Sequence, residues 1–311
     1  MYAELMSPET NDRINKWHGK RYYSLDAYLK NTYGKKLKKI SIDAGFTCPN
    51  RDGTLDTRGC IFCSAGGSGD FASPALPEHT SEPYIAYFQA YTGTYAPVSY
   101  LDRFYRNALE NPMTAGISIA TRPDCLPDET LFLLSALQKN YPDKFIWIEL
   151  GLQTIHEQTA HYIRRGYSLD CFTRTVHRLN SEKIPVIVHV ILGLPGETEE
   201  IILQTIDYLN TMPISGIKLQ LLHVLKGTDL AQDYNNGLFS VLSMDEYLTL
   251  LIRCICRLSP DTVIHRVTGD GPKELLIAPL WSRNKKNVLN SLHHRMKLVN
   301  ACQGKDWKGI L

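Results

Sequence analysis

Three cysteines lie on one short, glycine-rich stretch: eleven residues separate Cys48 from Cys60, and two separate Cys60 from Cys63. Gly53, Gly59, Gly66, Gly67 and Gly69 accompany them and keep the backbone pliable. Thiolates gathered on one loop are metal ligands by type, and their number sorts the chemistry. A redox Cys-x-x-Cys needs two, whereas a structural zinc site closes a tetrahedron with four protein ligands. An iron–sulfur cube ordinarily takes four cysteines, so three leave one iron free for a ligand that is not protein. Two readings therefore stand side by side: a cluster on the three local cysteines, or a zinc ion completed by a distant residue such as His79 or Cys125. The other cysteines, Cys125, Cys171, Cys254, Cys256 and Cys302, are scattered, and residues 1–16 are polar, without the apolar stretch of a signal peptide. A disulfide framework is not expected, and the expected setting is the reducing cytoplasm.

Residues 48–53 (CPNRDG), followed by Cys60-x-x-Cys63 with Phe62 just before the last cysteine, resemble the cluster loop of radical S-adenosylmethionine enzymes. The wide first spacing is similar to the branch that includes the Elongator catalytic subunit. Residues 91–95 (YTGTY), 121–124 (TRPD), 149–153 (ELGLQ), 193–198 (GLPGET) and 268–272 (TGDGP) further resemble a small bacterial family of about this length, so the likeness runs over residues 22–307. It implies a [4Fe-4S] cluster on Cys48, Cys60 and Cys63, whose open iron is chelated by S-adenosylmethionine. Reductive cleavage of that cofactor to a 5′-deoxyadenosyl radical is implied with it, together with an external one-electron reductant. The cofactors perform this chemistry, and the protein positions them and excludes water.

The 311 residues are 43% hydrophobic and 21% charged, the composition of a globular chain with material for one large core. No run of about 18 apolar residues occurs, so no membrane span is expected. The formal charge of +2 hides an asymmetry. Residues 13–39 hold nine Lys or Arg against Asp26, and residues 283–308 hold seven against Asp306, so the ends carry +8 and +6 and the remainder −12. Each run by itself reads as a solvated face. Brought together, as chain ends of one domain often are, they would form a surface suited to a polyanion, which makes RNA a candidate partner.

Around the cysteines, strand and helix patterns alternate. Residues 37–44, 85–91, 116–120, 145–150, 185–192 and 217–222 read as strands; the fifth is apolar except for His189, as in a buried parallel strand. Ser99 caps a helix presenting Leu101, Phe104, Tyr105 and Ala108 on one face, and Pro127 with Asp128 opens another that reaches Asn140. The helix after the fourth strand breaks at Gly166, and Glu197, Glu199 and Glu200 sit at the positive end of the next. Residues 64–84 depart from the pattern. They hold Pro74, Pro77 and Pro83 with no helical period, so the first crossover helix is expected to be cut short or missing. Six strand–helix units predict an α/β fold with a parallel sheet: a partial (β/α)6 TIM-type barrel with a C-terminal extension. The expected division is an N-terminal basic helical segment over residues 1–36, the barrel over 37–245, and an extension with a basic tail over 246–311 that closes the barrel mouth.

Chemistry in such folds gathers where strands end. The resemblance places Phe62 against the adenine, Gly93 and Thr94 beside the methionyl group, Arg122 and Arg165 as forks for a carboxylate, and Gln153 as a polar contact. Plainer readings stand beside these: loop packing for Phe62, a turn for Gly93 and Thr94, pairing with Asp124 for Arg122, and an exposed helix position for Arg165. His189 is either a satisfied core histidine or a lumen group. His265, Arg266 and Asp270, with His223, are the candidates for substrate contact at the mouth. The leading expectation is a radical enzyme acting on a modified uridine in tRNA. The alternatives are a radical enzyme on a small metabolite or peptide, and a zinc-stabilised RNA-binding module without catalysis.

Overall fold

The computed structural model describes residues 7–77, 80–269 and 271–309. Helices α1 (Pro8–Lys16) and α2 (Leu25–Tyr33) precede strand β1 (Lys38–Ile42). Strands β2 (Tyr84–Phe88), β3 (Thr114–Thr121), β4 (Phe145–Gln153), β5 (Val186–Leu192) and β6 (Gly216–Leu221) follow. Between them run α3 (Val98–Glu110), α4 (Asp128–Asn140), α5 (Glu157–Tyr162), α6 (Leu169–Ser181) and α7 (Glu199–Asn210). The chain ends through β7 (Val224–Leu225), α8 (Asp229–Asn235), α9 (Met244–Arg257), β8 (Val263–Arg266), β9 (Leu276–Ala278) and α10 (Lys285–Leu298).

Local sequence sets many of these boundaries. The side chains of Ser24, Ser168, Thr198 and Thr228 each accept a backbone N–H in the first turn of α2, α6, α7 and α8. Ser243 and Glu246 form a reciprocal capping box on α9. Ser99 is not a cap: α3 begins one residue earlier, after Pro97, whose ring fixes φ at −54° and leads the chain into the helix.

The sheet is parallel and curls as a partial barrel in the order β1-β2-β3-β4-β5-β6-β8. The expected partial TIM-type barrel is present, with one strand more than the six expected. β8 adds beside β6, pairing Val263 with Gly216 and Ile264 with Ile217, and α9 supplies the return. Between β1 and β2 no helix forms among the described residues, as the prolines imply. The segment instead comes back along the free edge of β1: Ser73 donates to Ser41 O at 2.9 Å, and Asp43 donates to Ser73 O at 2.8 Å. This contact blunts an edge that would otherwise present unpaired backbone.

Alternation along the strands divides the lumen into layers. At the bottom, where strands begin, Ile85, Trp147 and Ile187 form an apolar cluster with Leu37. Helix α2 plugs that end with Leu29, 1% exposed, and Tyr28 meets Trp147 edge-on at 6.1 Å. The layer above is polar and lies under the strand ends. Segments near the two ends of the described chain meet at the plugged end: Arg21 donates to Asn300 Oδ1 and Ala301 O at 3.2 and 3.1 Å, and Tyr22 stacks on His293 at 5.6 Å. Arg21 and Tyr22 of the first basic run thus adjoin residues 293–301 of the second on one face, and α10 runs from there along the outer wall.

Candidate active site at the barrel mouth

Cys48 follows the end of β1, and with Cys60 and Cys63 it lines one cavity at the barrel mouth. Phe46 anchors the start of the loop among Phe88, Tyr100 and Phe104, with ring centroids 6.1–6.4 Å apart. Gly59 is required in its place, because φ is +76° and a Cβ would stand 2.7 Å from Arg51 Nε. Ile61 N donates to Ile163 O at 3.2 Å and ties the Cys60–Cys63 turn to the chain after β4. Burial pushes the Cys60 thiol up to about 12, with Cys63 and Cys48 adding to the rise and Arg122 opposing it. Burial also raises Cys63, with Arg51 opposing. Thiolates gathered here would repel one another, and an iron–sulfur cluster bound to them would offset that cost.

Among the described residues, no three His, Cys, Asp or Glu side chains are gathered closely enough for one metal ion. A cube spreads its thiolates over separate corners, whereas a single zinc ion draws them together at bonds of about 2.3 Å. Three cysteine thiols lining one cavity are by type the donors of an iron–sulfur cube, one short of its usual four, and so fit a cluster with one iron left open. Cys125 does not complete a zinc site, since its Sγ lies 3.8 Å from an Asp124 oxygen and it does not line the cavity. His79 lies outside the described residues.

Phe62, Arg122, Gln153 and Arg165 also line the cavity. Arg122 is paired with Asp124 through two bonds, 2.9 and 2.7 Å, and donates to Arg165 O at 3.1 Å. Arg165 is 1% exposed, not a surface helix arginine. It donates to Tyr167 O at 2.9 Å, Thr154 O at 2.7 Å and Glu157 at 3.0 Å, and so fastens the end of β4. Gln153 holds a left-handed φ of +67°, rare for a residue with Cβ. Its Oε1 is buried without a hydrogen-bond partner. Gly93 and Thr94 stand behind the wall. The Thr94 hydroxyl is engaged by Thr121 and the Cys125 carbonyl, and a Cβ on Gly93 would meet Ala120 O at 2.8 Å. Their neighbours Thr92 and Thr121 line the cavity instead.

The floor is a charged network centred on Glu149 of β4, which is 0% exposed. Its carboxylate accepts from Lys39, Lys218, His189 Nε2 at 2.7 Å, Tyr87 Oη at 2.9 Å and Ser118 Oγ at 2.7 Å. Burial would raise this carboxyl, but Lys218 and Lys39 outweigh it and hold the group well below the usual range. Burial pulls Lys218 well below its ordinary value, with Glu149 pulling it back. His189 points into the lumen, where burial and Lys218 lower it to about 4 and keep the ring neutral at pH 7. Sequence reading missed Lys39, Tyr87, Glu149 and Lys218 as a group. The signal was present as single charges inside apolar strands, Glu149 in FIWIELGLQ and Lys218 in GIKLQL.

The mouth candidates separate. Arg266 reaches the cavity, because a register shift in β6–β8 sets it opposite Lys218. His265 is corrected to the bottom layer, 5.4 Å from the Trp147 ring and against Gly216, away from the cavity. His223 lines the mouth, its ring fitted against Gly269 and Gly271, where a Cβ would approach to 2.5 and 2.9 Å. Asp270 lies outside the described residues.

Comparison with known proteins adds to this geometry. A family model described as "Radical SAM superfamily" matches residues 57–209, and one described as "Radical_SAM C-terminal domain" matches 214–298. Protein YtqA of Bacillus subtilis (strain 168) is 40% identical over 301 residues, 92% of each chain. The chain belongs to the radical SAM superfamily. Protein YhcC of Escherichia coli (strain K12) is 36% identical over 270 residues, covering 83% of this chain and 86% of that one. The structure of archaeal Methanocaldococcus infernus Elp3 lacking residues 1–46 superposes with a TM-score of 0.63 at 17% identity. It covers 72% of this chain and 56% of its own, so this chain spans little more than half of that protein. This radical SAM enzyme sits in the Elp3-like branch, and its cofactors are S-adenosylmethionine and a [4Fe-4S] cluster. No helix of the described residues is long and apolar enough to cross a membrane.

Proposed function

We propose that this radical SAM enzyme holds its cluster on Cys48, Cys60 and Cys63, cleaves S-adenosylmethionine reductively there, and acts on a modified uridine in tRNA in the cytoplasm. The observation that carries the reading is the convergence of the three thiols on one cavity above the Glu149 floor. When bound and reduced by an external one-electron donor, the cluster supplies the electron that breaks the sulfonium and yields a 5′-deoxyadenosyl radical. The chain's own residues orient and shield. Phe62 offers a ring face at the mouth, Gln153 an acceptor for a cofactor N–H or O–H, and Arg122 a cation beside Cys60. His189, Tyr87, Lys218 and Arg266 face the substrate side. In this reading the N-terminal helical segment seals the bottom through α2, the barrel segment carries the first six strands, and the C-terminal extension supplies β8 and, through α9 and α10, much of the outer wall.

Two features support RNA. The branch has better-known members that work on tRNA, and the two basic ends adjoin, with Lys20 and Lys297 both near His293, whose ring burial and these cations lower. Helix α10 extends that basic surface toward the mouth through Lys285 and Lys286, next to Arg283, which donates to Lys273 O at 2.8 Å.

Purified without oxygen and supplied with iron and sulfide, the protein should take up a single cube and release 5′-deoxyadenosine and methionine on reduction. A Cys60→Ala protein should lose both; one that still cleaves the cofactor contradicts the ligand assignment. Nucleoside mass spectrometry of tRNA from a deletion strain should show one altered uridine. Unaltered tRNA directs the same chemistry to a small metabolite or peptide.

A further inference from the structure

The cysteine loop is braced by two consecutive residues, each serving a different member of the Cys60–Cys63 pair. Asn50 is 2% exposed, and its Nδ2 donates to Arg164 O at 2.7 Å and lies 3.5 Å from Cys60 Sγ. Both amide hydrogens are thereby used, so the carbonyl contact keeps the other N–H turned to sulfur. Gly166 makes the space: its φ is +81°, and a Cβ there would stand 2.9 Å from Asn50 Oδ1. Arg51 donates to Cys63 O at 2.9 Å and Ser64 O at 2.6 Å, which holds its guanidinium beside the Cys63 thiol. Ser68 Oγ lies 3.9 Å from the same sulfur.

We propose that Asn50 and Arg51 are positioning residues that raise the reduction potential of the cluster, Asn50 through a hydrogen bond to the Cys60 sulfur and Arg51 through a fixed cation beside Cys63. This rests on the ligand reading above. Reduction adds one negative charge, delocalised over the cube and its thiolate sulfurs. A donor aimed at a ligand sulfur, or a cation a few ångströms away in a dry site, favours the more negative state. Hydrogen bonds to the sulfurs and net local charge are recognised levers on such potentials. Asn50 stands behind the cavity and Arg51 lines it beside Cys63; in this proposal both act through the cysteines. The sequence CPNRDG thus carries one ligand followed by the partners of the two others.

The test uses the full chain, reconstituted without oxygen, as wild type, Asn50→Leu, Asn50→Asp, Arg51→Met and Arg51→Lys. Cluster content is read from iron and sulfide, and midpoint potential from an EPR-monitored dye titration. At equal cluster content, Asn50→Leu should shift the reduced-to-oxidised ratio at a fixed ambient potential about tenfold toward oxidised, about 59 mV for one electron. Asn50→Asp should shift it at least as far, Arg51→Met in the same direction, and Arg51→Lys should recover most of the wild-type value. A merely structural role would lower cluster content and leave the midpoint of the surviving clusters in place. Midpoints of Asn50→Leu and Arg51→Met equal to wild type overturn the proposal. Where a variant takes up no cluster, wild-type protein labelled with [15N]asparagine decides instead: pulsed EPR of the reduced cluster should show a 15N coupling, and its absence overturns the Asn50 assignment. A wild-type chain that takes up no cube overturns the ligand reading as well, which separates the two failures.

Discussion

Replacing Glu149 with Gln keeps shape and removes one charge, so it isolates the electrostatic role of the lumen floor. Glu149 is the carboxylate shared by Lys39 and Lys218, with His189 neutral beside it. Without it, two buried ammonium groups face a neutral amide. Breaking a buried pair by removing one partner costs about 3–5 kcal/mol. Against a total stability of about 5–15 kcal/mol, that is a fifth or more. Urea unfolding should place Glu149→Gln at least about 3 kcal/mol below wild type at pH 7. The sign of the pH dependence follows. A lysine whose folded pKa lies below its unfolded value binds fewer protons when folded, so the variant should regain stability as pH rises from the folded pKa toward 10.5. Glu149→Gln/Lys218→Met should be more stable than the sum of its single changes predicts, by about 1–3 kcal/mol. A Glu149→Gln protein within about 1 kcal/mol of wild type, or strict additivity in the double variant, would refute the charge argument.

His189 should make the fold acid-sensitive. Its folded pKa is about 4 against 6.5 when unfolded, so the unfolded chain takes up the extra proton first and stability falls as pH drops through that window, by about 3 kcal/mol at most. His189→Gln should flatten that slope, and equal slopes in stability against pH would remove His189 as its source. At the other end of the barrel, Leu29→Ala should cost about 2–5 kcal/mol, since the side chain is buried among Leu37, Ile85, Trp147 and Ile187. A loss under about 1 kcal/mol in urea unfolding would mean that α2 does not seal the lumen.

The parts of the fold legible in sequence are those with a local period. Apolar runs such as residues 185–192 announce buried parallel strands, and prolines announce the absent first crossover helix. β8 was less legible because Val263–Arg266 is four residues long and half polar, and its partner Gly216 is remote in sequence. The site shows the same divide at finer grain. In a strand or strand end, one residue decides whether a side chain faces the lumen or the outside. Gly93 and Thr94 fall behind the wall while Thr92 lines it, and His265 drops to the bottom layer while Arg266 reaches the cavity. Glu149 and Lys218 are each visible as a charge in an apolar strand, yet their partnership exists only once β4 and β6 flank β5.

The layering also constrains how a polyanion and the chemistry can be combined. The two basic runs adjoin around Arg21 and Asn300 at the plugged face, where strands begin, while the thiols open at the face where strands end. A tRNA bound only at the plugged face would leave its bases far from the cavity. Helix α10 is the element that spans the two, with Lys297 at one end and Lys285 and Lys286 at the other. Backbone phosphates along that wall would supply salt-sensitive affinity without sequence information. The base to be modified would then have to leave its stack to reach the cavity inside the barrel mouth, as enzymes that act on bases require. The proposed tRNA reading therefore divides the labour between an outer wall that binds and a mouth that admits a single unstacked uridine.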